Sequence, residues 1–243
     1  MEISGLAFHP SGVLLAVQDE DGDIFSLNPE DGAILERTRF ASDGDFEGIA
    51  ATNEFVLVLR SDAVVYLSPS DAAVEGDDQR ASSQRINLDM HNSCDAESLA
   101  HIPGGDDFWV ICKEHPGKGL GPVRAVYAFT AQDDGSKKGQ KPRLVFKLPR
   151  PPDPKGRPLR RSYFKPSGLA IAPDSTFLVI SSVKPALYRY SLEGVLLAAW
   201  RLPTDILPQP EGIAVDEDGR LYIASEAKGR SHSSIAVFNS LLK

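Results

Sequence analysis

Three glutamates in this 243-residue chain hold the same place in a recurring phrase. Glu47 and Glu211 each open "EGIA", and Glu97 opens "ESLA". Ser4 and Ser167 open "SGLA" in two further copies. Carboxylates that are brought together repel one another unless a cation neutralises them. Oxygen ligands without nearby thiols or a histidine cluster favour Ca²⁺ or Mg²⁺, so the phrase predicts a calcium site wherever the fold gathers its copies.

The five copies start at intervals of 43, 50, 70 and 44 residues. A period of about 40–50 residues, built from short β-rich runs, is typical of a propeller blade. The first copy contains four such runs, "SGLAFH", "VLLAVQD", "IFSLN" and "AILERTRF", separated by turn residues. We therefore predict an all-β propeller of five four-stranded blades with little helix; six blades are the alternative. The fifth copy shows three strands, which predicts a last blade without its outer strand or a natural chain that begins before Met1.

In a four-stranded antiparallel blade, the start of the innermost strand lies beside the end of the second strand. This geometry places the polar residue of every copy at one mouth of the central channel. The predicted metal ligands are Glu47, Glu97, Glu114, Glu211 and Glu226. The predicted ligand-binding residues are Asp19, Asp45, Arg60, Lys113, Arg160 and Arg161. Two alternatives remain open: each glutamate caps backbone N–H groups, or Lys113, Arg60 and Lys228 neutralise the carboxylates.

Charge is unevenly distributed along the sequence. Residues 137–165 contain eleven Lys and Arg against the single acid Asp153, whereas the net charge of the chain is −8. The rest of the chain is therefore strongly acidic, and this argues against nucleic acid as a partner. We expect one propeller domain over residues 1–243, with a basic, proline-rich insertion at about 150–164. This insertion is predicted to lie over or beside the acidic mouth, with Arg160, Arg161 and Tyr163 nearest to it; a solvated, mobile loop is the alternative.

Other features of the sequence narrow the class of protein. Cys94 and Cys112 are too few and too far apart for a zinc site; we expect two ordinary thiols, and a single disulfide bridge is the alternative that the sequence does not indicate. The sequence has no apolar run long enough to span a membrane and no signal peptide at its start, and a monomer is expected. No sequence motif of a known catalytic nucleophile, zinc protease or phosphate-binding loop is present, so no catalytic residue is assigned.

Taken in order, the phrases "SGLA", "DFEGIA", "ESLA", "PSGLA" and "LPQPEGIAVDEDGRLYIASE" resemble the SdiA-regulated family of YjiK-type propellers. The resemblance spans almost the whole chain and implies a β-propeller associated with calcium, with a similarity to phytase propellers. The chain departs from the family pattern at Ser98, which replaces a glycine, and at residues 181–184, "SSVK", which lack two acids. The resemblance therefore implies that the fourth copy contributes less to a metal site. Family members commonly carry an exported or membrane-anchored N-terminus, which this sequence does not show.

Three functions are consistent with these features. The favoured one is a calcium-binding module that presents its mouth to a small anionic ligand or a protein partner. The alternative is a metal-assisted hydrolase of a phosphate ester or lactone, with Glu97, Glu114 or Glu211 as base and Lys113, Arg160 and Arg161 as anion contacts. The third is a purely structural propeller, since fold alone does not imply function.

Overall fold

The protein is a five-bladed β-propeller. The computed structural model describes residues 2–81, 83–90, 94–121, 123–132, 139–226 and 233–239, without the side chains of residues 79, 80 and 161. Four antiparallel sheets have four strands, and the fifth has three strands within the described residues. The prediction of an all-β propeller with five blades is confirmed, and six blades are excluded.

Strands follow one another outward from the channel in every blade. Blade 1 comprises Ile3–Phe8 (β1), Leu14–Gln18 (β2), Asp23–Leu27 (β3) and Ile34–Arg39 (β4). Blade 2 comprises Phe46–Ala51 (β5), Phe55–Arg60 (β6), Val64–Pro69 (β7) and Gln84–Asn87 (β8). Blade 3 comprises Ala96–His101 (β9), Asp107–Cys112 (β10), Arg124–Thr130 (β11) and Arg143–Leu148 (β12).

The remaining blades follow the insertion. Blade 4 comprises Pro166–Ala172 (β13), Thr176–Ser181 (β14), Ala186–Ser191 (β15) and Leu196–Arg201 (β16). Blade 5 comprises Pro210–Val215 (β17), Leu221–Ser225 (β18) and Ser234–Phe238 (β19). Within the described residues, helix is confined to Ser70–Glu75 (α1), Asp78–Ala81 (α2) and a 3-10 turn at Arg161–Tyr163. None of the described helices has both the length and the apolar character needed to cross a membrane.

A separate hydrophobic cluster fills each gap between neighbouring blades. Leu59 and Val110 belong to the cluster between blades 2 and 3, and Leu27 and Tyr222 belong to the one between blades 1 and 5. Three more clusters fill the other gaps, so both faces of every blade are covered. A single meander cannot bury two apolar faces by itself, and radial stacking solves that problem.

The innermost strands approach so closely that the phrase needs a small second residue. A Cβ on Gly48 would lie 2.6 Å from the backbone nitrogen of Leu99, and a Cβ on Gly168 would lie 2.6 Å from the carbonyl oxygen of Glu211. Blade 3 carries Ser98 at this position, and its hydroxyl accepts a hydrogen bond of 3.0 Å from the backbone N–H of Leu169. The departure at Ser98 therefore links blades 3 and 4 across the channel wall.

Candidate functional site

The polar residue that opens each phrase is the extra residue of a β-bulge. The pairing of each inner strand with the second strand skips one residue at Ser4, Glu47, Glu97 and Ser167, and skips Glu211 and Gly212 in blade 5. A bulge re-aims the side chain of the residue that it leaves unpaired. The sequence repeats the bulge along with the strand, and this is how one phrase places a polar group at the same level in all five blades.

The serines and the glutamates use this position differently. Ser4 donates a hydrogen bond of 2.6 Å to the carbonyl oxygen of Phe46 in blade 2. Ser167 donates one of 2.7 Å to the carbonyl oxygen of Pro210 in blade 5. For Glu47, Glu97 and Glu211, in contrast, the described part of the chain provides no backbone N–H donor to the carboxyl group, so the capping alternative finds no support. The carboxyl group of Glu211 instead has a side-chain hydrogen bond with Ser167, and all three glutamates act on the charge of Lys113.

Lys113 extends among the three glutamates from the end of β10. Its Nζ lies 2.8 Å from Oε1 of Glu97, and Glu47 and Glu211 also act on its charge. Burial alone would lower the pKa of Lys113, but the three carboxylates together raise it above its usual value. Fully ionised, the three glutamates and one lysine carry a formal charge of −2, so Lys113 neutralises part of this layer only.

Burial dominates the titration of the inner glutamates. Glu97 is 3% exposed and Glu211 is 7% exposed, and Oε2 of Glu97 is buried without a hydrogen-bond partner in the described structure. Desolvation raises the pKa of Glu211 to about 8, against the lowering effect of Lys113. Desolvation also raises the pKa of Glu47, with the charges of Glu97 and Asp45 adding to the effect. Beyond this layer the channel is a cavity of about 160 Å³ lined mainly by apolar residues of the inner strands, which explains the poor solvation.

A second acidic group lies on the blade 1 and blade 5 side of the mouth. Glu2, Asp19 and Glu226 place ligand oxygens within 4.8 Å of one another, the one such group of three within the described ranges. Burial raises the pKa of Glu226, and repulsion from Glu2 and Asp19 adds to it. Burial likewise raises the pKa of Asp19, and repulsion from Glu2 and Glu20 adds to the effect. This outer group is more exposed than the inner layer and is open to an ion from solvent.

The remaining predicted site residues have other positions. Asp45 is exposed beside Glu47, whereas the guanidinium of Arg60 pairs with Asp62 at 2.8 Å and bonds to the hydroxyl of Tyr66. Glu114 forms an ion pair with Lys165. Arg160 lines a separate cavity beneath the insertion. The side chain of Arg161 and the whole of Lys228 lie outside the described residues.

Glu2 and Lys165 are site residues that the motif search overlooked. Each stands two positions before the bulge residue of its blade, as Asp45 does before Glu47 and Asp95 before Glu97. The signal was therefore present in the sequence as a second polar position of the repeat. The bulge position is easier to recognise, because the same residue types, Ser and Glu, recur there, whereas the residues two positions before it differ from blade to blade.

The two cysteines form a disulfide, which corrects the expectation of two free thiols. Cys112 ends β10 opposite Ala96, and Cys94 stands two residues before Ala96, so the Cα atoms are 5.2 Å apart. A sequence separation of 18 residues conceals this proximity, which the β9–β10 hairpin creates. The bridge fixes the backbone directly before Lys113, whose N–H donates to the carbonyl oxygen of Asp95 at 2.9 Å.

The basic insertion lies on the mouth face, because it joins the end of β12 to the start of β13. It packs on blade 4 beside the channel: Phe164 is fully buried against Tyr188, and the Arg124 guanidinium donates to the carbonyl oxygen of Phe164 at 2.8 Å. Lys165, just after the insertion, brings a cation to Glu114 at the rim. The function of the insertion as a lid stays a prediction.

Comparisons with known proteins support both the family and the fold. The SdiA-regulated family model matches residues 1–146, and the strictosidine synthase-like N-terminal model matches residues 195–228. The phrase at 207–226 thus lies outside the SdiA-regulated match. No curated protein sequence matches the chain significantly.

Solved structures with 10–16% identity share the fold alone. Glutaminyl cyclase of Myxococcus xanthus has a TM-score of 0.58 and 13% identity, over 97% of this chain and 91% of that one. The gluconolactonase XC5397 of Xanthomonas campestris has a TM-score of 0.53 and 16% identity, over 98% and 73%. For the Cps50 (Swd1) propeller domain of Myceliophteria thermophila the TM-score is 0.52 at 10% identity, over 93% of this chain and 64% of that one.

Proposed function

We propose that this chain, which belongs to the SdiA-regulated family, is a calcium-binding module that presents its mouth to an anionic ligand or partner. The observation that carries the proposal is the convergence of Glu2, Asp19 and Glu226 from three strand ends, with ligand oxygens within 4.8 Å. The donor set fits the ion, because Ca²⁺ prefers several oxygen ligands and carboxylates above all.

The inner layer of glutamates also favours cation binding at the outer group. Lys113 pairs with only one of the three carboxyl groups of Glu47, Glu97 and Glu211, and Oε2 of Glu97 has no hydrogen-bond partner in the described structure. A cation at the outer group reduces the repulsion that raises the pKa of Asp19 and Glu226. When bound, the ion adds positive charge at the rim, where a carboxylate or phosphate group of a ligand could complete its coordination.

Thermal unfolding in EDTA and in millimolar Ca²⁺ tests the site. A ligand that binds only the folded state stabilises it by about 2.7 kcal/mol at a hundredfold excess over Kd. For a protein of this size we expect a rise in Tm of about 5–10 °C. Asp19→Asn and Glu226→Gln should abolish most of that rise. Glu217→Gln is the matched control, since it removes the same charge from an exposed turn at the opposite rim. Superimposable wild-type scans would contradict the proposal.

A second candidate is a metal-assisted hydrolase, and the raised pKa of the inner glutamates favours it. A carboxyl group such as that of Glu211, with its pKa raised to about 8 by burial, keeps its proton near neutral pH and suits a general acid. Hydrolysis of a phosphomonoester, a carboxylic ester and a lactone, each with Ca²⁺ and with EDTA, separates the candidates. Calcium-dependent turnover that Glu211→Gln abolishes would favour the enzyme; calcium binding without turnover favours the module.

A further inference from the structure

A cavity of about 500 Å³ lies between the insertion and blade 4, apart from the acidic mouth. Its walls are mainly apolar: Pro158 and Leu159 come from the insertion, Tyr163 from the 3-10 turn, and Pro185 and Tyr188 from blade 4. None of the mouth glutamates lines it. A concave, mostly apolar cavity of this size with a few polar groups is the usual form of a small-molecule site.

Four cations line this cavity, and one of them, Arg157, is paired with Asp153. Arg160, Lys184 and Arg201 line it, and none of them has a carboxylate partner within the described ranges. The one described acid in the lining, Asp153, is already bound by Arg157 through Nε at 2.8 Å and Nη2 at 2.6 Å. Arg157 accordingly holds the pKa of Asp153 at about 2, well below its usual range. The cavity therefore presents unneutralised positive charge beside an apolar wall.

The backbone at Lys184 is strained in a way that keeps its side chain at the cavity. Lys184 has φ 54°, a left-handed conformation that glycine adopts far more easily, and it directly precedes Pro185, which disfavours helical backbone. Its Nζ lies 4.3 Å from the ring centroid of Tyr163, so the ammonium is held over an aromatic wall. Strained non-glycine residues of this kind concentrate at ligand-binding sites.

We propose that this cavity binds a small organic anion, with its apolar body against Leu159, Tyr163 and Tyr188 and its acid group between Arg160, Lys184 and Arg201. A carboxylate, sulfonate or phosphate all meet the chemistry, because each accepts charge-assisted hydrogen bonds from guanidinium and ammonium groups. Because the cavity walls are mainly apolar, the ligand needs an aromatic or aliphatic body to cover them. A bare inorganic anion would leave them uncovered and would bind weakly.

Two fluorescent probes of similar shape test the proposal. 8-Anilino-1-naphthalenesulfonate carries one sulfonate on an aromatic body, and N-phenyl-1-naphthylamine has the same body without charge. We expect the wild-type protein to bind the sulfonate with micromolar affinity. Lys184→Gly should weaken it about 10-fold or more, the effect of one charge-assisted hydrogen bond, and Arg160→Ala with Arg201→Ala should weaken it further. Binding of the uncharged probe should stay within about twofold throughout, because no charge–charge contact is lost.

The variants are chosen to separate loss of binding from loss of fold. Glycine fits φ 54° better than lysine, so Lys184→Gly should leave Tm unchanged or raise it. Lys147→Ala, an exposed lysine on β12, removes the same charge away from the cavity and should leave sulfonate binding unchanged. Glu226→Gln should not affect sulfonate binding either, which separates this site from the calcium proposal. Absent sulfonate binding, or equal binding by Lys184→Gly and wild type, would overturn the inference.

Discussion

Blades 1 and 4 differ from blades 2, 3 and 5 at one residue of the repeat. The residue in blades 1 and 4 has a structural role, whereas the residue in blades 2, 3 and 5 forms the candidate site. Ser4 and Ser167 occupy the bulge in blades 1 and 4 and donate to the carbonyl group of the neighbouring inner strand. Glu47, Glu97 and Glu211 occupy the same bulge and place titratable carboxyl groups in a poorly solvated layer, where burial raises the pKa of each. The same backbone device therefore joins blades where it carries a hydroxyl and creates a charged site where it carries a carboxyl.

Removing Lys113 should cause the largest loss of stability, because its ammonium group is paired with the buried carboxylate of Glu97 in the glutamate blades. Loss of one partner of a buried ion pair leaves an uncompensated charge and costs about 3 kcal/mol or more. We expect Lys113→Met to lose about 3 kcal/mol at pH 8, measured by urea unfolding with EDTA. Lys184→Met, at the exposed cavity edge, is the comparison and should change stability by less than about 0.5 kcal/mol. Equal losses of stability in Lys113→Met and Lys184→Met would show that Lys113 does not compensate a buried carboxylate.

The disulfide should rank second. Cys94 and Cys112 close a loop of sequence separation 18 that holds the β9–β10 hairpin in front of Lys113. A closed loop of this length stabilises a protein by about 3 kcal/mol in the chain-entropy model, with wide variation. Cys94→Ala with Cys112→Ala should lose about 2–3 kcal/mol of unfolding free energy. A reducing agent should lower the Tm of wild type and leave the double variant unchanged; a double variant as stable as wild type would contradict the expectation.

The pH dependence of stability should distinguish the two kinds of blade. Burial raises the pKa of Glu211 from 4.5 to about 8, so the folded state binds more protons than the unfolded state between these values. Stability in EDTA should therefore fall as pH rises from about 5 to 8. Calcium affinity should rise with pH, because burial raises the pKa of the ligands Asp19 and Glu226 and they must lose their protons to bind the ion. Glu211→Gln should flatten the stability profile, whereas Ser4→Ala should leave its slope unaltered.

The serine bulges should give a smaller loss that does not depend on pH. Ser4 is 4% exposed and its hydroxyl bonds to the carbonyl oxygen of Phe46 at 2.6 Å. Replacing a buried hydrogen-bonding hydroxyl costs about 1 kcal/mol. Ser4→Ala should lose about that amount equally at pH 5 and pH 8, and its Tm rise with Ca²⁺ should match wild type. A changed calcium response would mean that the serine blades also contribute to the site.

The surface ion pair at the rim should have the smallest effect. Lys165 and Glu114 have side chains 21% and 40% exposed, and such pairs contribute at most about 1 kcal/mol. Lys165→Met should therefore destabilise by less than about 1 kcal/mol, and Arg60→Met offers a control in a second exposed pair. A loss as large as that of Lys113→Met would place Lys165 within the buried layer instead of at the rim.

The sequence by itself determined the blades and the layer of glutamates. Short apolar strands, turn residues and a regular period predict four-stranded meanders, and the pairing of first and second strands brings Glu97 to Lys113. These features repeat, and a repeated local pattern has the same local solution in every copy. The family resemblance came from the same phrases and is confirmed by the match over residues 1–146.

Only the tertiary structure decided which groups meet between blades and outside the repeat. Glu2 and Glu226 meet because blade 5 closes the ring against blade 1, a contact between residues at opposite ends of the sequence. Cys94 reaches Cys112 through a hairpin, and Arg160 and Lys184 line one cavity because the insertion folds back on blade 4. The insertion has no repeated counterpart, so its path depends on how Phe164 and the prolines pack. Packing of that kind is a property of the assembled surface and leaves no periodic trace in the sequence.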